Sequence, residues 1–178
     1  MKIRLAGYAP ESVVDGPGIR FVLFAQGCEH ACPGCHNPQT HDREGGDLVD
    51  LAEIFERIKK AKLIRGVTFS GGEPFLQAAP LAQLARQIKA LGLGLVTYSG
   101  YRFEELYAMA ARDKNIRDLL AASDILVDGK YVAEKRDISL AFRGSTNQRL
   151  IDVPRSLLAG QAVMWDHEAD QADFQVLA

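Results

Sequence analysis

Strand-like and helix-like segments alternate along this chain, and each strand-like segment runs out into glycine and polar residues. Residues 19–26 (IRFVLFAQ) are β-rich and apolar and stop at Gly27. Residues 27–47 hold cysteines, prolines and glycines and read as one long loop, a length that in a compact domain usually serves a function. Leu48, Leu51, Ile54, Phe55 and Ile58 then fall on one helical face. A strand is predicted at 66–70 (GVTFS), a helix at 81–91, a strand at 93–98, and helices at 103–111 and 116–122. Residues 124–128 (DILVD) close the pattern. Residues 138–148 look irregular, with possible strands at 149–153 and 162–165.

Such alternation implies parallel strands joined by right-handed crossovers. In these sheets and barrels chemistry gathers at the carboxyl ends of the strands. Four candidate segments fall there: the cysteine loop, Gly71-Gly72-Glu73, Thr97-Tyr98-Ser99-Gly100, and Asp128-Gly129-Lys130. A full eightfold barrel takes about 250 residues, and this chain has 178. The expectation is therefore a single α/β domain over residues 1–178. It is an open partial (β/α) barrel of about five or six mostly parallel strands.

The loop carries the chain's three cysteines, Cys28, Cys32 and Cys35, in a C-x3-C-x2-C run. Three thiolates leave one iron of a cubane iron–sulfur cluster without a protein ligand, and an open metal position marks a site that activates something. A disulfide framework would want an even count and a secreted context. Zinc is the competitor, because His30, His36 and His41 lie close by. No second C-x-x-C or H-x3-5-H half follows, which weighs for a cluster over zinc.

Hydrophobic residues make up 47% and charged residues 25% of the chain, ordinary for a globular protein. A net charge of −2 gives no footprint for nucleic acid or an anionic membrane. No apolar run approaches a membrane span, and residues 1–18 lack the apolar core of a signal peptide. Three thiols without a targeting signal point to a reducing cytoplasm.

The cysteine run after the first strand, with Ser70-Gly71-Gly72-Glu73-Pro74 after the second, resembles the radical S-adenosylmethionine enzymes. Val14-Asp15-Gly16-Pro17-Gly18-Ile19-Arg20 resembles the entry segment of their glycyl-radical-enzyme activases. Val127-Asp128-Gly129-Lys130 and Arg143-Gly144-Ser145-Thr146-Asn147-Gln148 resemble those acting on anaerobic ribonucleoside-triphosphate reductases. The likeness spans residues 8–165 or so, nearly the whole chain.

This resemblance implies a [4Fe-4S] cluster on Cys28, Cys32 and Cys35 whose open iron binds S-adenosylmethionine. One electron cleaves the sulfonium, and the resulting 5′-deoxyadenosyl radical takes hydrogen from a glycine of an anaerobic ribonucleotide reductase. It further implies that Gly34, Cys35 and His36 lie against the cofactor, with His36 beside the adenine, and that Gly71, Gly72 and Glu73 take its methionine moiety. In that scheme Glu73 meets the ammonium by charge pairing.

On the residues alone, Gly71-Gly72 is either a turn or a close backbone approach to a ligand. Glu73 is a surface acid or a ligand, and His36 a loop bystander or a stacking ring. Asp128 and Lys130, two apart on an extended segment, face one ligand together or form an exposed pair. Arg143 and Asn147 are open between cofactor, partner and local capping.

Pyruvate formate-lyase activases carry Asp-Thr-Asn-Gly after the third strand. This chain has Thr97-Tyr98-Ser99-Gly100-Tyr101, closer to the reductase activators, so the formate-lyase type is the second reading. A non-catalytic zinc or iron–sulfur protein is the third. With no thiolate for a second cluster and no G-x-G-x-x-G fingerprint, electrons are expected from an external donor such as a flavodoxin or ferredoxin.

Overall fold

The computed structural model describes residues 1–166. Its strands are β1 (Lys2–Ser12), β2 (Arg20–Ala25), β3 (Asp47–Asp50), β4 (Gly66–Gly71), β5 (Gly94–Ser99), β6 (Ile125–Asp128) and β7 (Arg149–Asp152). Its helices are α1 (Leu51–Lys60), α2 (Ala78–Ala90), α3 (Phe103–Ala110), α4 (Lys114–Ala122) and α5 (Val153–Ala159). All seven strands join one sheet in the order β3-β1-β2-β4-β5-β6-β7. The central strands β2, β4, β5 and β6 are parallel. β1 and β7 flank them antiparallel, and β3 pairs antiparallel with the outer edge of β1.

The expected count of about five or six strands is corrected to seven among the described residues. β1 escaped because it does not alternate cleanly: it holds Gly7 and Pro10, and its pairing to β2 shifts register between Leu5 and Gly7 and again between Ala9 and Ser12. β3 lies where the helical stripe predicts the first turn of α1, because Leu48 fits that stripe. In the structure Asp50 is extended, with φ −72° and ψ 134°, and the helix begins after it. The strand expected at 162–165 reduces to one bridge between Ile151 and Met164.

Strand periodicity divides the sheet into two faces. Phe21, Leu23, Val67, Phe69, Leu95 and Leu126 turn toward the helices and join Ile54, Leu84, Ile88 and Leu106 in the main core. Leu84 and Ile88 on α2 are fully buried, so truncating either to alanine costs about 2–5 kcal/mol. The opposite face carries a smaller cluster of Val96, Ile125, Val127 and Leu150 with Tyr98, Phe142 and Trp165. The four central strands are buried on both faces, and β2 and β6 accordingly read as near-continuous apolar runs. Being parallel, they also deliver all four carboxyl ends to one edge, where the candidate segments meet.

Candidate functional site

β2 leads directly into the cysteine loop, and the neck of that loop is zipped. Gly27 N–H donates to the Thr40 carbonyl at 2.8 Å and Cys28 N–H to the His41 carbonyl at 3.2 Å. The buried Gln26 amide donates to the carbonyls of Gln39 and Asp42, and Gln77 in turn donates to the Gln26 and Arg4 carbonyls. Beyond the neck, all three cysteines are free and half-buried. Each lines one cavity of about 560 Å³ at the carboxyl ends of the strands. Burial raises the Cys28 thiol above its ordinary range; a backbone hydrogen bond at His30 opposes this and the Glu73 charge adds to it. A cation at the site reverses that bias, so ligation there releases protons.

Two backbones meet beside the loop. Gly71 has φ +95°, and a Cβ there would stand 2.6 Å from the Ala25 nitrogen. A Cβ on Gly72 would overlap the Gly27 carbonyl. Gly72 N–H donates to Ala25 and Glu73 N–H to Gly27, both at 2.8 Å. The pair therefore seams the end of β4 to the neck of the cysteine loop, while its other side lines the cavity.

Glu73 is buried completely and does not line the cavity. Its carboxylate accepts from Phe75 N–H at 3.0 Å, Gly100 N–H at 2.9 Å, the Ser99 hydroxyl at 3.0 Å to both oxygens, and His30 Nε2 at 2.7 Å. The His30 ring lies over Gly100, where a Cβ would overlap it, and meets Tyr101 edge-on at 4.5 Å. Tyr101 donates to Glu29, which also pairs with Arg43 at 2.8 Å. That phenol hydrogen bond holds the Glu29 carboxyl below its usual range.

The structure separates the other expected residues. Asp128 is 1% exposed and turns away from the cavity. It accepts from Phe103 N–H at 2.7 Å, at the start of α3, and from Arg149 Nε and Nη2 at 2.9 and 2.5 Å. The expectation that Asp128 and Lys130 face one ligand is corrected, because the strand ends at Asp128 and Gly129 (φ +97°) breaks the two-residue period. Lys130 alone reaches the cavity. Gly34 (φ +71°) makes a turn against Tyr131 and Ala133 and is not a lining residue.

His36 lines the cavity with its ring 4.6 Å from that of Tyr131. Arg143 lines it too, its Nη1 3.4 Å from the Gln148 carbonyl and its buried Nε without a hydrogen-bond partner. Asn147 donates to the Lys130 carbonyl at 2.8 Å. Sequence reasoning missed Tyr131, Phe142, Val13 and Val14 as lining residues. Tyr131 and Phe142 sit in irregular chain with no periodicity to expose them. Val14 opens the glycine-rich entry segment and Val13 adjoins it, the one signal that pointed their way.

Among the described residues, no three His, Cys, Asp or Glu side chains are set to hold one metal ion. His30, the candidate fourth zinc ligand between Cys28 and Cys32, commits Nε2 to Glu73. A cubane takes one thiolate per iron, so its thiolates need not converge on a point. Three free thiols on one cavity wall suit that donor set.

The fold and site thus define a class: α/β proteins that present a thiolate triad at the carboxyl ends of parallel strands. A family model described as a 4Fe-4S single cluster domain matches residues 14–151. The anaerobic ribonucleoside-triphosphate reductase-activating protein of Haemophilus influenzae is 36% identical over 149 residues, covering 79% of this chain and 92% of that protein. The proteins of the same name from Escherichia coli K12 and Enterobacteria phage T4 are 36% and 32% identical, covering 79% of this chain and 93% and 88% of theirs. The chain belongs to this 4Fe-4S single cluster domain family, among the anaerobic ribonucleoside-triphosphate reductase-activating proteins. A solved structure of QueE from Escherichia coli shows a partial likeness, with TM-score 0.44 and 15% identity over 56% of this chain and 53% of that one.

Proposed function

We propose that this chain is a radical S-adenosylmethionine activase that generates a glycyl radical on an anaerobic ribonucleoside-triphosphate reductase. The observation that carries the reading is the common cavity. It gathers three free cysteines, the glycine-rich end of β4, and Tyr98, Ser99 and Gly100 at the end of β5, all at the carboxyl edge of the parallel strands. Relatives that share most of their length with this chain carry the activating name, which favours the reductase over the formate-lyase type of partner.

Cys28, Cys32 and Cys35 hold a [4Fe-4S] cluster, and the cavity beside them takes S-adenosylmethionine. Together they supply reductive cleavage of the sulfonium and, from it, removal of a hydrogen atom from glycine. The protein's part is to bind, orient and exclude water. Gly71 and Gly72 offer backbone at close range. Glu73 is the carboxylate for the cofactor's ammonium, His36 and Tyr131 are flat rings at the wall, and Lys130 is an exposed cation beside them. Asp128 acts at one remove, fixing the start of α3 through Phe103 and anchoring Arg149.

We read the sheet as an open partial barrel within a single domain. A linear strand order with two distinct edges, helices on one face and a cavity on the other support this. The exposed apolar residues Val13, Val14 and Ile138 rim the cavity, an edge suited to an incoming loop of the reductase. With the chain's three cysteines committed to one cluster, the electron comes from a separate donor such as a flavodoxin or ferredoxin. No described helix is long and apolar enough to cross a membrane; the free thiols fit a reducing cytoplasm, and the net charge of −2 argues against nucleic acid or an anionic membrane as partner.

Electron paramagnetic resonance tests the function. The reduced protein, S-adenosylmethionine and an anaerobic ribonucleotide reductase should yield a glycyl doublet, lost when the radical-site glycine is alanine. Cofactor cleavage without a radical on the reductase would overturn the partner.

A further inference from the structure

The Glu73 carboxylate is full. An ionised carboxylate offers roughly four acceptor positions, and four donors occupy them: Phe75 N–H, Gly100 N–H, the Ser99 hydroxyl and His30 Nε2. Ser99 and Gly100 belong to the end of β5, and Phe75 N–H to the 3-10 turn that Glu73 itself caps. Only His30 comes from the cysteine loop, between Cys28 and Cys32. Its side chain is 6% exposed, and that of Glu73 is 0%.

The seat for His30 is built in. A Cβ on Gly100 would overlap the imidazole, so glycine at that position is what admits the ring. Tyr101 closes over its edge and ties the neighbouring Glu29. An added cation cannot join this carboxylate; it has to take the place of a donor already there. His30 is the donor carried by the cysteine loop, so a movement of that loop frees its acceptor position without disturbing β4 or β5.

We propose that His30 is a displaceable latch. It fastens the cysteine loop to Glu73 when S-adenosylmethionine is absent, and it yields that acceptor position to the cofactor's ammonium. Cofactor binding is then coupled to release of the Glu29–Ala31 part of the loop beside the cluster. This rests on the reading of Glu73 as the ammonium's partner. His30 is a positioning residue and takes no part in the chemistry.

The test uses the full chain, reconstituted anaerobically with its cluster and kept oxidised so that no cofactor is cleaved. Affinity for S-adenosylmethionine is measured by equilibrium dialysis. His30→Ala should bind at least about tenfold more tightly, because no hydrogen bond to the charged carboxylate has to be broken first. His30→Gln, whose amide N–H reaches the same carboxylate, should bind as the unaltered protein does. In a Glu73→Gln background His30→Ala should change nothing. Hydrogen exchange on the cluster-free chain supplies a readout independent of loading. His30→Ala should speed exchange over residues 28–35 without affecting β4 and β5, and His30→Gln should not.

If Glu73→Gln weakens binding but His30→Ala fails to tighten it, the latch is refuted and the Glu73 assignment stands. If Glu73→Gln binds as tightly as the unaltered protein, the ammonium assignment falls and the latch with it. Unchanged exchange over residues 28–35 in His30→Ala would equally overturn the latch.

Discussion

Removing Arg149 should unfold the protein far more readily than it impairs the site. Asp128 is 1% exposed and accepts three hydrogen bonds, one from Phe103 N–H and two from Arg149. Arg149→Met leaves a buried carboxylate with one donor of three. Breaking a buried ion pair from one side costs about 3–5 kcal/mol, because the remaining charge is uncompensated. For a chain of this size each kcal/mol shifts Tm by about 2–4 °C, so the expected fall is roughly 6–20 °C. The pair of Arg149 with the half-exposed Glu104 adds little.

Asp128→Asn combined with Arg149→Met should recover much of the loss, since the amide carries no charge and still accepts from Phe103. Calorimetry on the cluster-loaded protein measures the shift, and equilibrium dialysis measures cofactor affinity on the same samples. The expected result is a large fall in Tm at unchanged affinity. A Tm within about 2 °C of the unaltered protein would refute the argument, since that is less than 1 kcal/mol on the same scale. So would Asp128→Asn that keeps its Tm and loses cofactor affinity.

Cys32→Ala should leave less than a full complement of four irons per chain after anaerobic reconstitution, and iron and sulfide analysis would show it. Gly72→Ala forces a methyl into the Gly27 carbonyl, so it should destabilise by about 1–3 kcal/mol and lower cluster loading together, measured as Tm and iron content. Glu104 is held below its ordinary 4.5 by the Arg149 hydrogen bond. Its contribution to stability is therefore present above that value and is lost as pH falls through the lowered one. Tm against pH for Glu104→Gln should run slightly below the unaltered protein at neutral pH and converge with it in acid.

Much of the fold was legible because parallel strands announce themselves. The apolar runs of β2, β4, β5 and β6 are buried on both faces, and each ends where the sequence turns to glycine. β1 and β3 were not legible, because a bulged flanking strand with glycine and proline, and a four-residue strand, carry little periodicity. The cysteine loop and the Gly71-Gly72 seam could be located from residue types alone.

What those residues touch was another matter. Glu73 and Asp128 look alike on paper, each an acid beside glycine at a strand end. In the structure one carries a histidine from 43 positions away and the other an arginine from 21 positions away. The sequence by itself determined the three-cysteine run, the parallel centre of the sheet and the edge where the candidate site lies, because these depend on residue type and local period. Only the tertiary structure decided that both acids are buried among donors, that His30 rather than solvent meets Glu73, and that Lys130 reaches the cavity without Asp128. Those outcomes depend on which distant donors arrive at a carboxylate that cannot remain buried and unpaired, and no local pattern encodes that arrival.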